Sequence, residues 1–151
     1  MQEEKVLEIY CDGACKGNPG IGGWGAYLRW GNIEKKLCGV AEMTTNNQME
    51  LQAAIEVLKA IKRPCKIRIT TDSNYVRQGI CEWIWKWKAN GWKTSDKKPV
   101  KNLELWQELD RLNQIFQPEW NWVKGHSGNP GNEMADYLAN LAIKNSMKST
   151  E

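Results

Sequence analysis

Residues 6–43, VLEIYCDGACKGNPGIGGWGAYLRWGNIEKKLCGVAEM, determine the kind of sheet that this chain builds. Apolar and β-branched residues predict strands over residues 6–11, 24–30 and 33–43. The glycine-rich segment between the first two strands predicts a turn, and so does "WGN" after the second. Three early strands joined by turns predict an antiparallel meander.

The pattern changes after this meander. Thr45, with Gln48 three residues later, predicts the start of a helix that Pro64 ends. Further helices are predicted over residues 73–81, Leu103–Phe116 and residues 133–144, and further strands over residues 67–71 and 120–124. A strand that follows a helix must cross over, so part of the sheet should be parallel. With neither repeat nor linker, residues 1–151 are predicted to form one α/β domain.

Composition narrows the class of protein. The 151 residues are 41% hydrophobic and 26% charged, as in ordinary soluble proteins. The sequence has no signal-peptide stretch and no run long enough to span a membrane. We therefore predict a cytoplasmic protein, or one released from a longer polyprotein. The net charge of +3 permits a nucleic-acid partner but does not require one.

The five cysteines are predicted to be reduced and to act as small core residues. Their number is odd, no C-x-x-C pair occurs, and the chain has a single histidine, His126. This pattern argues against a structural zinc site.

Four acidic residues are candidates for one site. Asp12 and Asp72 each follow an apolar strand, at the edge where open α/β sheets tend to hold ligands. Glu50 lies near the start of the helix after Thr45, and Asp136 lies early in the last helix. Taken alone, an acid in such a position is more often a cap, a turn residue or a solvated side chain. If they converge, their mutual repulsion calls for a divalent cation, and oxygen ligands favour Mg²⁺ or Mn²⁺.

Residues 83–93, WIWKWKANGWK, combine four tryptophans with three lysines. Asn90–Gly91 supplies a stop signal, which favours a helix over a strand. In a helix Trp83 and Trp87 contact each other, and Trp85 points nearly the opposite way. Trp87 and Trp92 are predicted to pack against neighbouring elements. By contrast, "GIGGWG" matches the dinucleotide-binding pattern only formally, because a strand follows it. Its glycines are predicted to shape a turn and to let the backbone approach a nucleic acid.

Several strings occur in a familiar order and together resemble type 1 ribonuclease H over about residues 5–145. The strings are DGACKGNPGIGGWGA, TTNNQMEL, TDSNYVRQGI, WKTSDKKPVKN and WVKGHSGNPGNEMADYLA. The last of them is also similar to the ribonuclease H domains of retroviral reverse transcriptases. The resemblance implies a five-stranded mixed sheet, with the first three strands antiparallel and helices on both sides.

The same resemblance implies an endoribonuclease that cuts the RNA strand of RNA–DNA hybrids and leaves 5′-phosphate and 3′-hydroxyl ends. It places the four catalytic, metal-binding carboxylates on Asp12, Glu50, Asp72 and Asp136. Two Mg²⁺ ions are implied, for which Mn²⁺ can substitute: Asp12 touches both, Glu50 and Asp72 hold the ion near the attacking water, and Asp136 holds the other. His126 would move a proton near the leaving group or help to release product.

The substrate contacts implied are of two kinds. Short polar side chains would test for the RNA 2′-hydroxyl in the minor groove; these are Cys15, Asn18, Thr45, Asn46, Asn47, Ser73 and Asn74. The tryptophan–lysine segment, residues 83–98, would grip the uncut DNA strand. Its predicted contacts are Trp83 on sugar or base and Lys86, Lys88, Lys93, Lys97 and Lys98 on phosphates. A monomer is expected.

Two other classes are weighed against this enzyme. A hybrid-binding module without catalysis predicts the loss of one or more acids, yet all four are present. A different nuclease of the same broad fold, such as a junction resolvase or transposase core, would lack residues 83–98 and the TTNN string. The strand that is cut, RNA in a hybrid or DNA, separates these alternatives.

Overall fold

A computed structural model describes residues 5–125 and 128–148 of the chain. The strands are β1 Val6–Lys16, β2 Gly20–Trp30, β3 Ile33–Thr44, β4 Lys66–Thr71 and β5 Glu119–Trp122. The helices are α1 Asn46–Lys59, α2 Asn74–Gln78, α3 Ile84–Ala89, α4 Leu103–Phe116 and α5 Pro130–Lys148, with a π-helical turn, Gly79–Trp83, between α2 and α3.

The five strands form one mixed sheet in the order β3-β2-β1-β4-β5. β1, β2 and β3 pair antiparallel, whereas β1 pairs parallel with β4, and β4 parallel with β5. The predicted antiparallel meander, the partly parallel sheet and the implied five-stranded fold are confirmed.

Helices cover both faces of this sheet. A Cβ at Gly22 would meet Met49 of α1, whereas a Cβ at the next residue, Gly23, would meet the backbone of Ala139 in α5. Neighbouring residues of a strand point to opposite faces, so α1 and α5 lie on opposite sides. A hydrophobic core cluster lies between the sheet, α1 and α4, and its members include Ile9, Leu51, Leu58, Ile69, Trp106 and Leu109.

The glycines of "GIGGWG" do not shape a turn, contrary to the prediction. They lie within β2 and not in a turn. A Cβ at Gly25 would lie 2.7 Å from the nitrogen of Ala139, and Gly23 faces the same helix. Gly23 and Gly25 therefore let α5, the helix that carries Asp136, approach the sheet closely.

Strand and helix ends differ from the sequence prediction at several points. β1 continues through Asp12 to Lys16, because the Asp12–Lys16 half pairs with β2 although its glycine and aspartate have low strand propensity. Asp12 is therefore inside a strand and not beyond its end. α1 ends at Lys59, well before Pro64, and α5 begins three residues earlier than predicted, at Pro130.

Thr45 is the N-cap of α1, as predicted. Its Oγ1 accepts a hydrogen bond from the backbone N–H of Gln48 at 3.2 Å. The Gln48 side chain accepts a hydrogen bond from the Thr44 hydroxyl and donates one to the Asn102 side chain. These bonds connect the start of α1 to the start of α4.

The cysteine prediction holds only in part. The described cysteines are free thiols. Cys11 is a core residue at 2% exposure, but Cys38 and Cys81 are exposed and were predicted wrongly. Among the described residues, no helix is both long and apolar enough to cross a membrane.

Candidate active site

The site is built where the parallel pairing of β1 with β4 stops. The last pair in that ladder is Tyr10 with Thr70, and the acids Asp12 and Asp72 each follow two residues later. The pairing of β1 with β4 does not continue beyond this point, and side chains can gather there at the carboxyl edge of the sheet.

Gly13 brings the third acid to the same place. A Cβ at Gly13 would lie 2.5 Å from the backbone nitrogen of Glu50 and 2.5 Å from the carbonyl carbon of Met49. Only a residue without a side chain lets β1 touch the first turns of α1 this closely. The contact sets Glu50 beside Asp12.

Three carboxylates converge as a result. Asp12, Glu50 and Asp72 each offer an oxygen, and these oxygens lie within 4.8 Å of one another. Asp12 is buried at 7% exposure, and its Oδ1 accepts the N–H of Gly13 at 2.9 Å. The predicted convergence is therefore observed for three of the four acids.

Asp136 approaches the cluster from α5 but is outside that 4.8 Å group. Its charge is one of those that raise the pKa of Asp12, which places it close by. It is half-buried, and Asn140 Nδ2 donates to its carbonyl at 2.9 Å and to its Oδ1 at 3.3 Å.

Burial and mutual repulsion make these acids hard to ionise together. Burial, and then the charges of Asp72 and Glu50, raise the pKa of Asp12 to about 9. Burial raises the pKa of Glu50 to about 7, against an opposing hydrogen bond from Ser73. A nearby cation would lower both pKa values, because it favours the charged form.

The donor set fits a divalent cation of the Mg²⁺ or Mn²⁺ kind. All three clustered ligands are carboxylate oxygens, which such hard ions prefer. Asn132 lies against the same cluster: its Nδ2 donates to Asp72 Oδ2 at 3.3 Å, and its buried Oδ1 has no hydrogen-bond partner among the described residues. A site with three close acids and a spare buried oxygen is suited to positive charge.

One supporting residue, Asn132, was not recognised in the sequence, and another, Ser73, was predicted to have a different role. Asn132 is 3% exposed. Its backbone N–H donates a hydrogen bond to Oδ1 of the N-cap residue Asn129 at 3.0 Å. The Asn-Pro start of α5 was the available signal. Ser73 was predicted as a substrate contact, but it is 4% exposed; its Oγ accepts from Val76 N–H at 3.1 Å, and its side chain hydrogen-bonds Glu50. Its placement is that of a support for Glu50.

The other predicted polar contacts surround the start of α1. Asn18 Oδ1 accepts the backbone N–H of Asn46 at 3.0 Å, which ties the β1–β2 turn to α1. The Cys15 thiol donates to carbonyls of the same turn, at 2.8 Å for that of Gly17. Asn47 and, further away on α2, Asn74 are exposed. His126, with Ser127, lies outside the described residues.

The tryptophan–lysine segment is helical over its first half, as predicted. Trp83 and Trp87 are in contact, with ring centroids 5.8 Å apart, and Trp85 points away at 71% exposure. Trp83 also packs against Tyr75 and Trp106, so much of the indole predicted to meet DNA lies in an aromatic cluster.

Most of the predicted lysines are free to meet a ligand. Lys86, Lys93, Lys97 and Lys98 are exposed. Lys88 Nζ lies 2.9 Å from Asp110 Oδ2, so a phosphate would have to compete with that carboxylate. Residues 92–100 form a loop, here called the basic loop. It is closed by backbone hydrogen bonds from Thr94 N–H to the Lys98 carbonyl and from Val100 N–H to the Trp92 carbonyl.

Known proteins share both the sequence and the fold. The family model described as RNase H matches residues 4–144. The chain belongs to the ribonuclease H family. It is 62% identical over 145 residues to ribonuclease H of Dichelobacter nodosus, covering 96% of this chain and 97% of the relative. Ribonuclease H of Cupriavidus necator is 60% identical over 144 residues, at 95% and 97% coverage.

Solved ribonuclease H structures superpose on the chain. LC9-RNase H1, a type 1 RNase H with the type 2 active-site motif, matches with a TM-score of 0.85 and 31% identity, over 96% of this chain and 75% of its own. LC11-RNase H1, solved in complex with an RNA/DNA hybrid, matches with a TM-score of 0.65 and 21% identity, over 93% and 99%. The second likeness concerns the fold alone. Members of the ribonuclease H family are hydrolases of the nuclease class, and the described residues of this chain include the acidic cluster Asp12, Glu50 and Asp72.

Proposed function

We propose that this protein is a metal-dependent endoribonuclease that hydrolyses the RNA strand of RNA–DNA hybrids and leaves 5′-phosphate and 3′-hydroxyl ends. The observation that carries the proposal is the convergence of Asp12, Glu50 and Asp72 within 4.8 Å in a chain of the ribonuclease H family. Relatives at 62% and 60% identity carry the name ribonuclease H, which supports the same activity here.

Asp12, Glu50, Asp72 and Asp136 would hold two Mg²⁺ ions, with Mn²⁺ as a substitute. Such ions, when bound, activate a water for in-line attack and stabilise the leaving 3′ oxygen. The protein keeps the carboxylates in position: Gly13 N–H holds Asp12, the Ser73 side chain holds Glu50, and Asn132 holds Asp72. His126 is proposed to serve proton transfer or product release.

Substrate selection is proposed to come from two surfaces. Cys15, Asn18, Thr45, Asn46 and Asn47 surround the start of α1 beside Glu50, where the 2′-hydroxyls of a bound RNA strand would pass. The exposed lysines of residues 83–98 would hold the DNA strand, with affinity that falls as salt rises. The single-domain organisation, the monomeric state and the cytoplasmic location stay predictions.

The test is cleavage of an end-labelled RNA–DNA hybrid in Mg²⁺, with duplex RNA and duplex DNA in parallel. We expect cutting of the hybrid's RNA only, loss of cutting in chelator, and a loss of at least about 10³-fold in Asp12→Asn, as for a member of a catalytic unit. Ligation of the RNA products tests for 5′-phosphate and 3′-hydroxyl ends. Tight, salt-sensitive hybrid binding without any cutting would instead indicate a binding module, and cutting of DNA would indicate a different nuclease.

A further inference from the structure

A polar cleft of about 250 Å³ opens beside the acidic cluster, on the β5 side. One wall is formed by the end of β4 and by α2, and the other by the end of β5 and the residues after it. A backbone hydrogen bond from Val123 N–H to Thr71 O at 3.1 Å joins the two walls. The lining residues are Thr71, Asp72, Ser73, Asn74, Arg77, Trp122, Val123, Lys124 and Gly125.

The cleft is continuous with the acidic cluster because Asp72 belongs to both. Asp72 is one of the three clustered acids and also lines the cleft. Gly125 closes against it: a Cβ there would lie 2.7 Å from Asp72 Oδ2. A ligand that occupies the cleft therefore lies next to whatever binds the three acids.

The cleft carries positive charge on both walls. Arg77 lines it from α2, and Lys124 lines it from the segment after β5. Arg77 is exposed and makes no ion pair with any residue of the described ranges, 5–125 and 128–148. The arginines Arg68 and Arg111, by contrast, are each paired with a glutamate at 3.2 Å or less. Arg77 thus keeps its full charge for a ligand.

We propose that Arg77 and Lys124 bind a non-scissile phosphate of the RNA strand and so set which phosphate reaches the acids. This inference rests on the proposed function, since it takes the scissile phosphate to lie at Asp12, Glu50 and Asp72. A strand whose scissile phosphate meets Asp72 must continue past it, and the adjoining cleft offers cations at that point. Arginine suits this contact because its guanidinium can donate two parallel hydrogen bonds to phosphate oxygens. Both residues are positioning residues.

The first experiment measures hybrid binding in an Asp12→Asn background, where no cutting occurs, at several salt concentrations. We expect Arg77→Ala to weaken binding about tenfold, as for a lost charged hydrogen bond. It should also reduce the slope of log K against log salt by about 0.7–0.9, one phosphate contact. Arg77→Lys should keep the slope. Arg63→Ala is the matched control, since Arg63 is also exposed but precedes the amino-terminal end of β4.

The second experiment identifies the strand. Hybrids carry one neutral methylphosphonate linkage at successive positions, with a 2′-O-methyl group on the adjoining nucleotide in the RNA series. The matching 2′-O-methyl phosphate is the control. At one RNA position near the scissile phosphate, the neutral linkage should weaken hybrid binding by the parent protein about tenfold. The same linkage should hardly change hybrid binding by Arg77→Ala. Hybrid binding by Lys124→Ala should likewise be insensitive to a neutral linkage at the same position or the neighbouring one.

Two results would overturn the inference. One is Arg77→Ala behaving like Arg63→Ala in slope and at every linkage. The other is loss of sensitivity at a DNA-strand linkage, which would mean that the cleft holds the uncut strand. Cleavage of the unmodified hybrid by the wild-type protein is measured separately. If that fails, the proposed function fails; if it succeeds while Arg77→Ala resembles the control, only the role of the cleft fails.

Discussion

At the scale of the residue, the three clustered carboxylates are held together against their own repulsion. Asp12 is the most buried of them, and its pKa is raised to about 9, above that of Glu50 at about 7. A site that must attract positive charge is therefore a source of instability in the metal-free protein.

Stability should depend on pH through Asp12. An acid whose pKa is raised on folding binds its proton more tightly when folded, so its stabilising contribution is complete below pH about 4 and is lost as pH rises toward 9. In chelator, Asp12→Asn should therefore exceed the wild type in Tm, by a margin that widens from pH 5 to pH 9. At pH 8 we expect at least about 1 kcal/mol, or about 2–4 °C in a domain of this size. An unchanged margin across that range in thermal melts would contradict the assignment.

Protons and divalent cations should compete at this site. Because the pKa of Glu50 is about 7 and that of Asp12 about 9, lowering the pH fills the acids with protons that a cation must displace. The Mg²⁺ concentration that gives half-maximal hybrid cleavage should rise steadily as pH falls from 9 to 6. Isothermal titration with Mg²⁺ in buffers of different ionisation enthalpy should detect proton release on binding. Mg²⁺ binding without proton release at pH 7 would argue against the raised pKa values.

Asn132 should matter for catalysis more than for folding. Its Nδ2 orients Asp72, and loss of a residue that holds a ligand typically costs about 10–100-fold in activity or metal affinity. We expect Asn132→Ala to lower kcat by that amount and to raise the Mg²⁺ requirement. Asn145→Ala, an exposed change on the same helix, is the matched control and should be silent. Equal activity of the two variants would show that Asn132 does not support the site.

At the scale of the element, the helical start of the tryptophan–lysine segment is anchored by its own indoles. Trp87 lies 5.4 Å from Trp106 and 6.2 Å from Trp92, ring to ring. Trp106 is fully buried and packs so closely against Gly79 that a side chain there has no room. The same aromatic residues that make the segment resemble a nucleic-acid surface also attach it to the core.

Two neighbouring tryptophans should therefore respond differently to truncation. Trp87→Ala removes an indole from the aromatic cluster and should cost about 2–4 kcal/mol. Trp85→Ala removes one that is 71% exposed and should stay within about 0.5 kcal/mol. Urea unfolding followed by circular dichroism measures both. A Trp85→Ala variant as unstable as Trp87→Ala would mean that the helix faces are assigned the wrong way round.

At the scale of the whole molecule, charge is divided between an acidic centre and basic surroundings. The net charge is only +3, yet Arg77 and Lys124 lie beside the three acids, and exposed lysines follow in residues 93–98. Affinity for a polyanion should come from these local groups, since the acidic centre repels phosphate until cations bind.

The basic loop should contribute to the salt dependence of hybrid binding. Replacing Lys97 and Lys98 by glutamine should reduce the slope of log K against log salt by about 1.4–1.8, two phosphate contacts. The same replacement of the exposed pair Lys35 and Lys36 on β3 should leave it unchanged. Fluorescence anisotropy with a labelled hybrid, in the Asp12→Asn background, gives both slopes. Equal slopes for the two double variants would exclude the loop from the interface.

Much of the fold could be predicted from local pattern. The meander, the Thr45 cap and the helix before residue 90 follow from periodicity and capping, which depend on near neighbours in the chain. The ends of elements were less predictable. β1 runs through Asp12 because β2 pairs with it, and pairing across a sheet is not written in the strand's own residues.

The sequence by itself determined the order of the elements, the family and the four candidate acids. Only the tertiary structure decided which of them meet: Gly13 against the backbone of α1 puts Glu50 beside Asp12, and the end of the parallel ladder puts Asp72 there. The tertiary structure also places Ser73 and Asn132 as buried neighbours that support the acids. It leaves Trp83 half-buried against Trp106. The physical reason is that sequence patterns record the period of a helix or strand, whereas a site depends on distances between elements far apart in the chain.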